Sequence, residues 1–276
     1  MPAVSALQKR RGAAPTLLGL KTLSKQGLAK PGSAPVFAAS AAPPAPLGRS
    51  EQSFARLFDG LPHAAAHEIC AAAPGEAIAA AGFASMLAVL WSKGPIVWAR
   101  EAGAAQEGGE LYPPGLAAFG LPLERLIIVD AKKRNDALWA TEEALKVEGA
   151  MAIAELAPGG APLDLIVSRR LMRAAAEQNS TALILCHASQ KAPSAAWSRW
   201  RIASAPSAAP ARELGLPAWR ADLIRLRNAH GERAWILEWN PDARSFRETQ
   251  IRENMDRALA AAPADRAADP SRRSAL

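Results

Sequence analysis

Thr181-Ala-Leu-Ile-Leu-Cys186 is an unbroken uncharged run lying directly behind a helical pattern. A strand apolar on both sides must be covered on both sides, and that is the signature of a parallel sheet sandwiched between helices. Shorter stretches of the same kind precede it: His67 to Cys70, Pro95 to Arg100, Leu126 to Val129 and Met151 to Leu156. All read as strands, with Leu126 to Val129 expected to be buried. Helical patterns alternate with them. Gly75 to Trp91 is rich in small residues and suits close packing on a sheet. Gly115 to Phe119 is a short helix, and Asn135 or Asp136 can cap a helix running to Lys146. Asp164 can cap another to Gln178, with Val167, Leu171, Ala174 and Ala175 on one face. Three more strands follow: Trp200 to Ser204, Trp219 to Arg227 and Arg233 to Trp239. The last two flank a turn, Asn228 to Glu232, that carries Gly231. The expected architecture is α/β in three layers, a mostly parallel sheet with an antiparallel C-terminal hairpin, in one domain from about 51 to 240.

Charge sets the limits of that domain. The chain has 276 residues and a formal net charge of +7. Residues 1–50 hold no Asp or Glu but do hold Lys9, Arg10, Arg11, Lys21, Lys25, Lys30 and Arg49. Those seven account for the whole excess, so the remainder is neutral and offers a phosphate backbone no net attraction. The segment 1–50, with its Ala/Pro run from Ala38 to Pro46, reads as a disordered basic tail. Residues 241–276 read as a second tail, with a short helix possible from Ser245 to Ala261. No apolar run approaches the roughly 20 residues that span a bilayer, so a cytoplasmic protein without membrane contact is expected. Cys70 and Cys186 have no metal-ligand spacing and read as buried free thiols.

The stretch between the first strand and the first long helix resembles a phosphate-binding loop with its chemistry removed. A G-x-x-x-x-G-K-[ST] loop wraps phosphates in backbone N–H groups, neutralises them with Lys and places a hydroxyl on magnesium. An ungapped reading of Ala71-Ala72-Ala73-Pro74-Gly75-Glu76-Ala77-Ile78 puts Ala71, Glu76, Ala77 and Ile78 at the first glycine, second glycine, lysine and hydroxyl positions. Gly75 survives next to the wrong position, and Glu76 brings negative charge to a place built for anions. The loop is therefore expected to be vestigial, with no catalytic residue, no metal and no cofactor.

The order of elements resembles the core of the RecA/recombinase family and, more closely, the ImuA (inducible mutagenesis protein A) family. The blocks that carry the resemblance span about 57–240. They include Gly60-Leu61-Pro62 with Glu68-Ile69, Glu110-Leu111-Tyr112 with Pro114-Gly115-Leu116-Ala117, and Leu126-Ile127-Ile128-Val129. Trp139 with Glu142-Glu143-Ala144-Leu145 follows, then Asp164-Leu165 with Ser168-Arg169-Arg170-Leu171 and Ala174-Ala175, and finally Trp200-Arg201-Ile202 and Trp239. The resemblance implies a RecA-like fold with a degenerate phosphate loop. It implies an accessory role in damage-induced translesion synthesis and mutagenesis, within the SOS response. The implied partners are a Y-family polymerase homologue, an error-prone polymerase and RecA. A DNA-dependent ATPase with an atypical loop and a cell-division inhibitor resembling SulA are the alternatives.

The same resemblance assigns positions. Glu101 stands where recombinases hold the acid that activates water, and Glu155 where they hold a magnesium ligand. Without phosphate ligands, Glu101 is expected to be a solvated strand-end carboxylate. Glu155 is expected to take a structural hydrogen-bonding or ion-pairing role, with an arginine of the Ser168–Arg173 helix as a candidate partner. His187 follows the strand that senses nucleotide in RecA and leads into the loop Ala188 to Ser198. With Lys191, Trp197, Arg199, Trp200 and Arg201 it makes a candidate contact for DNA or a protein partner, since tryptophan beside arginine serves both single-strand stacking and interface hot spots. Arg169 and Arg170 are further candidates for that DNA or partner contact; with Arg173 they form a basic helix stripe, whose plain reading is a solvated face or pairing with nearby acids. Trp219, Trp235 and Trp239 are expected in the core.

Overall fold

The computed structural model describes residues 53–186, 192–210, 213–229 and 231–249. His187, Lys191, the tail 1–50 and residues 250–276 lie outside them. The strands are β1 (Ala66–Ala71), β2 (Ile96–Glu101), β3 (Leu126–Ala131), β4 (Met151–Glu155), β5 (Thr181–Cys186), β6 (Ser198–Ser204), β7 (Ala218–Leu226), β8 (Arg233–Asn240) and β9 (Ser245–Thr249). They form one sheet in the order β3-β2-β4-β5-β1-β6-β7-β8-β9. The pairs from β3 through to β6 are parallel, and those from β6 to β9 are antiparallel. This is the RecA-like α/β arrangement that the sequence implied.

Helices cover the two faces in different ways. The helices are α1 (Phe54–Phe58), α2 (Ala77–Trp91), α3 (Ala105–Gly108), α4 (Pro113–Ala118), α5 (Arg134–Ala144) and α6 (Leu165–Glu177). On one face Phe83, Met86 and Leu87 of α2 pack with Ile69, Ile153, Leu183, Trp200, Trp219, Trp235 and Trp239. Gly82 permits this approach, because a methyl group there would come within 3.3 Å of the Trp219 ring. On the other face α6 brings Leu171 and Ala175 against Ala66, Cys70, Ile184 and Cys186. Both cysteines are buried and neither is in a disulfide. Asp164 caps α6 as the sequence predicts, its Oδ1 accepting from the Val167 N–H at 2.7 Å. The N-cap of α5 is Lys133, with no side-chain bond, and not Asn135 or Asp136.

Two expectations fail for reasons of position. Leu126 to Val129 was expected to be buried, yet β3 is the sheet's edge, and Ile127 and Ile128 are exposed at 53% and 41%. An apolar run reads alike at a sheet's centre and at its rim. Ser245 to Thr249, expected to begin a helix, is strand β9, paired with β8. Its Phe246 packs against Phe54, Phe83, Trp219 and Trp239, so the domain reaches past 240.

A buried chain of hydrogen bonds ties α2's side of the sheet together. The His67 Nε2–H donates to the Pro62 carbonyl at 3.0 Å. That leaves Nδ1 to accept from the Ser198 hydroxyl at 2.7 Å, while Trp200 Nε1 donates to Ser198 Oγ at 2.8 Å. Burial lowers the His67 pKa to about 4, with the Pro62 bond pulling partly the other way. The unfolded chain therefore takes up the proton first as pH falls. Stability from this group is complete above pH ~6.5 and drains away as pH approaches 4. We expect a loss of about 2 kcal/mol between pH 7 and pH 5 in urea titrations, a slope that His67→Gln removes. An unchanged slope in that variant would refute the assignment.

Candidate functional site

The vestigial loop leaves β1 at Ala71 and enters α2 at Ala77. Gly75 has φ +89°, a conformation glycine adopts freely. The Ala72 N–H donates to the Ile202 carbonyl at 2.8 Å, and Glu76 N–H closes a turn onto Ala73 at 3.1 Å. The Glu76 carboxylate turns to the end of β6 and accepts from the Ser204 N–H at 2.8 Å and the Ser204 hydroxyl at 3.1 Å. An acid at a helix N-terminus is electrostatically favoured, and this one also ties the loop to β6. Ala77 is buried and Ile78 is exposed.

The two acids of the recombinase pattern are bound elsewhere than expected. Glu155 is buried and accepts from Trp98 Nε1 and from Arg100 Nε, each at 2.8 Å. Its partner is thus the neighbouring strand β2, because Arg100 and Glu155 stand opposite each other in register. No arginine of α6 reaches it among the described residues. Arg100 also donates to the Gly109 carbonyl at 2.8 Å and pairs with Glu110 at 2.5 Å. Burial opposes the charge on Arg100, but Glu155 and Glu110 outweigh it and raise its pKa. Glu101 is not a solvated carboxylate. It pairs with Arg134 Nε at 3.0 Å and accepts from the Ala157 N–H at 2.8 Å. Arg134 in turn holds the carbonyls of Ala157 and Ala161, so this pair clamps the loop after β4.

Gly108, at the end of α3, lies between the remains of the site. A methyl group there would sit 3.7 Å from Glu155 Oε1 and 4.0 Å from the Ala77 Cβ. The segment 108–109 is therefore wedged between the positions matching the loop lysine and the metal acid. Beside it a hollow of about 310 Å³ opens at the ends of β2 and β3, with Arg100, Glu101, Glu110, Asp130 and Lys132 on its walls. The parts played by Gly108, Ser204, Arg100 and Arg134 are not legible in the sequence, since each depends on elements far apart in the chain.

Among the described residues, the proposed tryptophan–arginine contact does not assemble as a surface. Trp200 is 1% exposed and lies in the core. Arg199 is buried, faces Glu68 directly across β1 and β6, and is ion-paired with it. Burial works against its charge, and the Glu68 carboxylate overcomes that to raise its pKa. Arg201 is taken up by Asp222, with contacts of 3.0 and 2.8 Å. Trp197 is half-buried under the Arg227 guanidinium, 5.6 Å from its ring centroid. Alternation explains this outcome: adjacent residues of one strand point to opposite faces, so no single surface can present Arg199, Trp200 and Arg201 together. On α6, Arg170 pairs with Glu142 and Arg173 with Glu177. Trp219, Trp235 and Trp239 are core residues.

Among the described residues no group of three or more His, Cys, Asp or Glu is placed to hold a metal ion, and no helix is long and apolar enough to cross a membrane. No protein-family sequence profile matches the chain. It is 38% identical over 159 residues to Protein ImuA of Caulobacter vibrioides strain NA1000/CB15N, and equally so to Protein ImuA of the ATCC 19089 strain. The match takes in 52% of this chain and 60% of each relative. Over that matched stretch the chain is similar to Protein ImuA, and it spans less than two thirds of the length of those relatives.

Proposed function

We propose that this chain is a non-catalytic accessory protein of damage-induced mutagenesis, working through contacts with a Y-family polymerase homologue and with RecA. One observation carries the reading: each acid that a recombinase devotes to nucleotide chemistry is tied up by a neighbour here. Glu155 holds Arg100 and Trp98, and Glu101 holds Arg134; the loop's Glu76, at the second glycine position, is likewise taken up by Ser204. Gly108 lies beside Ala77 and Glu155, where a methyl group on it would sit 4.0 Å from the Ala77 Cβ and 3.7 Å from Glu155 Oε1. The residues present do not fit a triphosphate with its magnesium. The open β3 edge, with Ile127 and Ile128 uncovered, supports a strand-edge contact with a RecA protomer.

Calorimetry with Mg-ATP up to millimolar concentration is expected to show no binding, for the wild type and for Ala77→Lys/Ile78→Ser alike. Micromolar affinity with turnover, lost on changing Glu101 or Glu155, would establish the ATPase alternative. Deleting the gene is expected to lower damage-induced mutation frequency without affecting undamaged growth. Arrested division on overexpression, with mutation frequency unchanged, would favour the division inhibitor.

A further inference from the structure

We propose that the outer face of α5 and α6 docks an acidic helix, carrying apolar anchors, from a protein partner. The inference rests on the accessory reading above and gives it a surface. The two helices leave a groove of about 580 Å³ between them, bordered by Glu142, Lys146, Ile166, Arg169, Arg170 and Arg173. The Arg170–Glu142 ion pair crosses it, with Nε 3.3 Å from Oε1. Trp139 stands one turn before Glu142 on α5, and Ile166 one turn before Arg170 on α6, so the two flank that pair on the outer side. They are 62% and 69% exposed. Trp139 is the one tryptophan among the described residues that keeps most of its surface in solvent. Val147 adds a third exposed apolar group just past the end of α5.

The chemistry of the rim selects the occupant. Lys146 is paired with Glu143, Arg170 with Glu142 and Arg173 with Glu177, while Arg169 makes no ion pair among the described residues. The balance is positive, which favours acidic side chains. Yet most of the cations are already engaged, and a phosphate backbone is held by several free ones. The apolar flanks give a phosphate nothing, but Trp and Arg together are what protein hot spots use. A second copy placed by a twofold axis would set Arg169 and its neighbours against themselves. A groove between two helices accepts a third by its apolar stripe, at i, i+3 or i+4 and i+7. An acidic amphipathic helix meets all of these conditions.

The test uses the full chain, with the purified Y-family polymerase homologue and purified RecA from the same bacterium as probes. Trp139→Ala/Ile166→Ser and Arg169→Glu/Arg173→Glu change exposed side chains only, and thermal melts should match the wild type. The expected result is that the wild type binds at least one probe, that each double variant weakens that binding about tenfold or more, and that Tyr112→Ala, an exposed aromatic elsewhere, leaves it unchanged. Wild-type binding undiminished in both groove variants overturns the groove and spares the accessory reading. Failure of the wild type to bind either probe overturns the accessory reading, and the groove with it. Loss of binding to a dT oligonucleotide of about 20 nucleotides, or of a dimer, in the same variants without loss of either protein gives the face to another occupant and overturns the proposal.

Discussion

Glu155→Ala is expected to lower stability by about 3–5 kcal/mol, because removing one partner of a buried ion pair strands the other. Arg100 is 5% exposed, and Glu155 also receives the Trp98 indole N–H. Arg100 would keep its contacts to Glu110 and the Gly109 carbonyl, which places the loss toward the lower end of that range. Glu155→Gln keeps an acceptor for Trp98 and should cost roughly half as much. Urea unfolding followed by circular dichroism measures both. The test discriminates because a metal-binding carboxylate behaves in the opposite way: its neutral variant folds normally and loses only nucleotide. A fully stable Glu155→Ala protein with altered ATP binding would mean that the strand-end acid still serves its ancestral chemistry.

Trp200→Ala should be comparably damaging, at about 3–5 kcal/mol. The indole sits 6.2 Å from Phe54, 6.2 Å from Phe83 and 6.0 Å from Trp235, centroid to centroid. Its N–H holds the Ser198 hydroxyl, which His67 needs as a donor. The truncation thus opens a cavity among aromatic rings and loosens a buried polar chain in one stroke. Affinity for a dT oligonucleotide, whatever its value in the wild type, should not change in the fraction that remains folded. Normal stability with weakened oligonucleotide binding would restore Trp200 to a stacking surface.

These two residues show what a sequence can and cannot reveal. The carboxylate at 155 and the indole at 200 are legible as residues worth attention, the first by its match to a recombinase position and the second by its arginine neighbours. Their partners were not legible. Local pattern points Glu155 toward the basic α6 helix, yet its cation comes from β2 through the parallel register. Arg199, Trp200 and Arg201 looked like one cluster because they are adjacent in the chain, and strand alternation sends them to different faces.

What the sequence determined by itself was the run of strands and helices, the C-terminal antiparallel turn-back, the loss of lysine and hydroxyl from the phosphate loop, and the likeness to ImuA. All of these depend on local pattern: apolar periodicity, turn residues and the identity of a few positions in a row. Tertiary structure alone decided that β3 is an open edge, that Ser245 to Thr249 completes the sheet, that Gly108 wedges against Ala77 and Glu155, and that the solvent-facing tryptophan is Trp139. Each of those is settled by which segments lie side by side, and side-by-side placement is a balance of burial and pairing across the whole domain that no short window of residues contains.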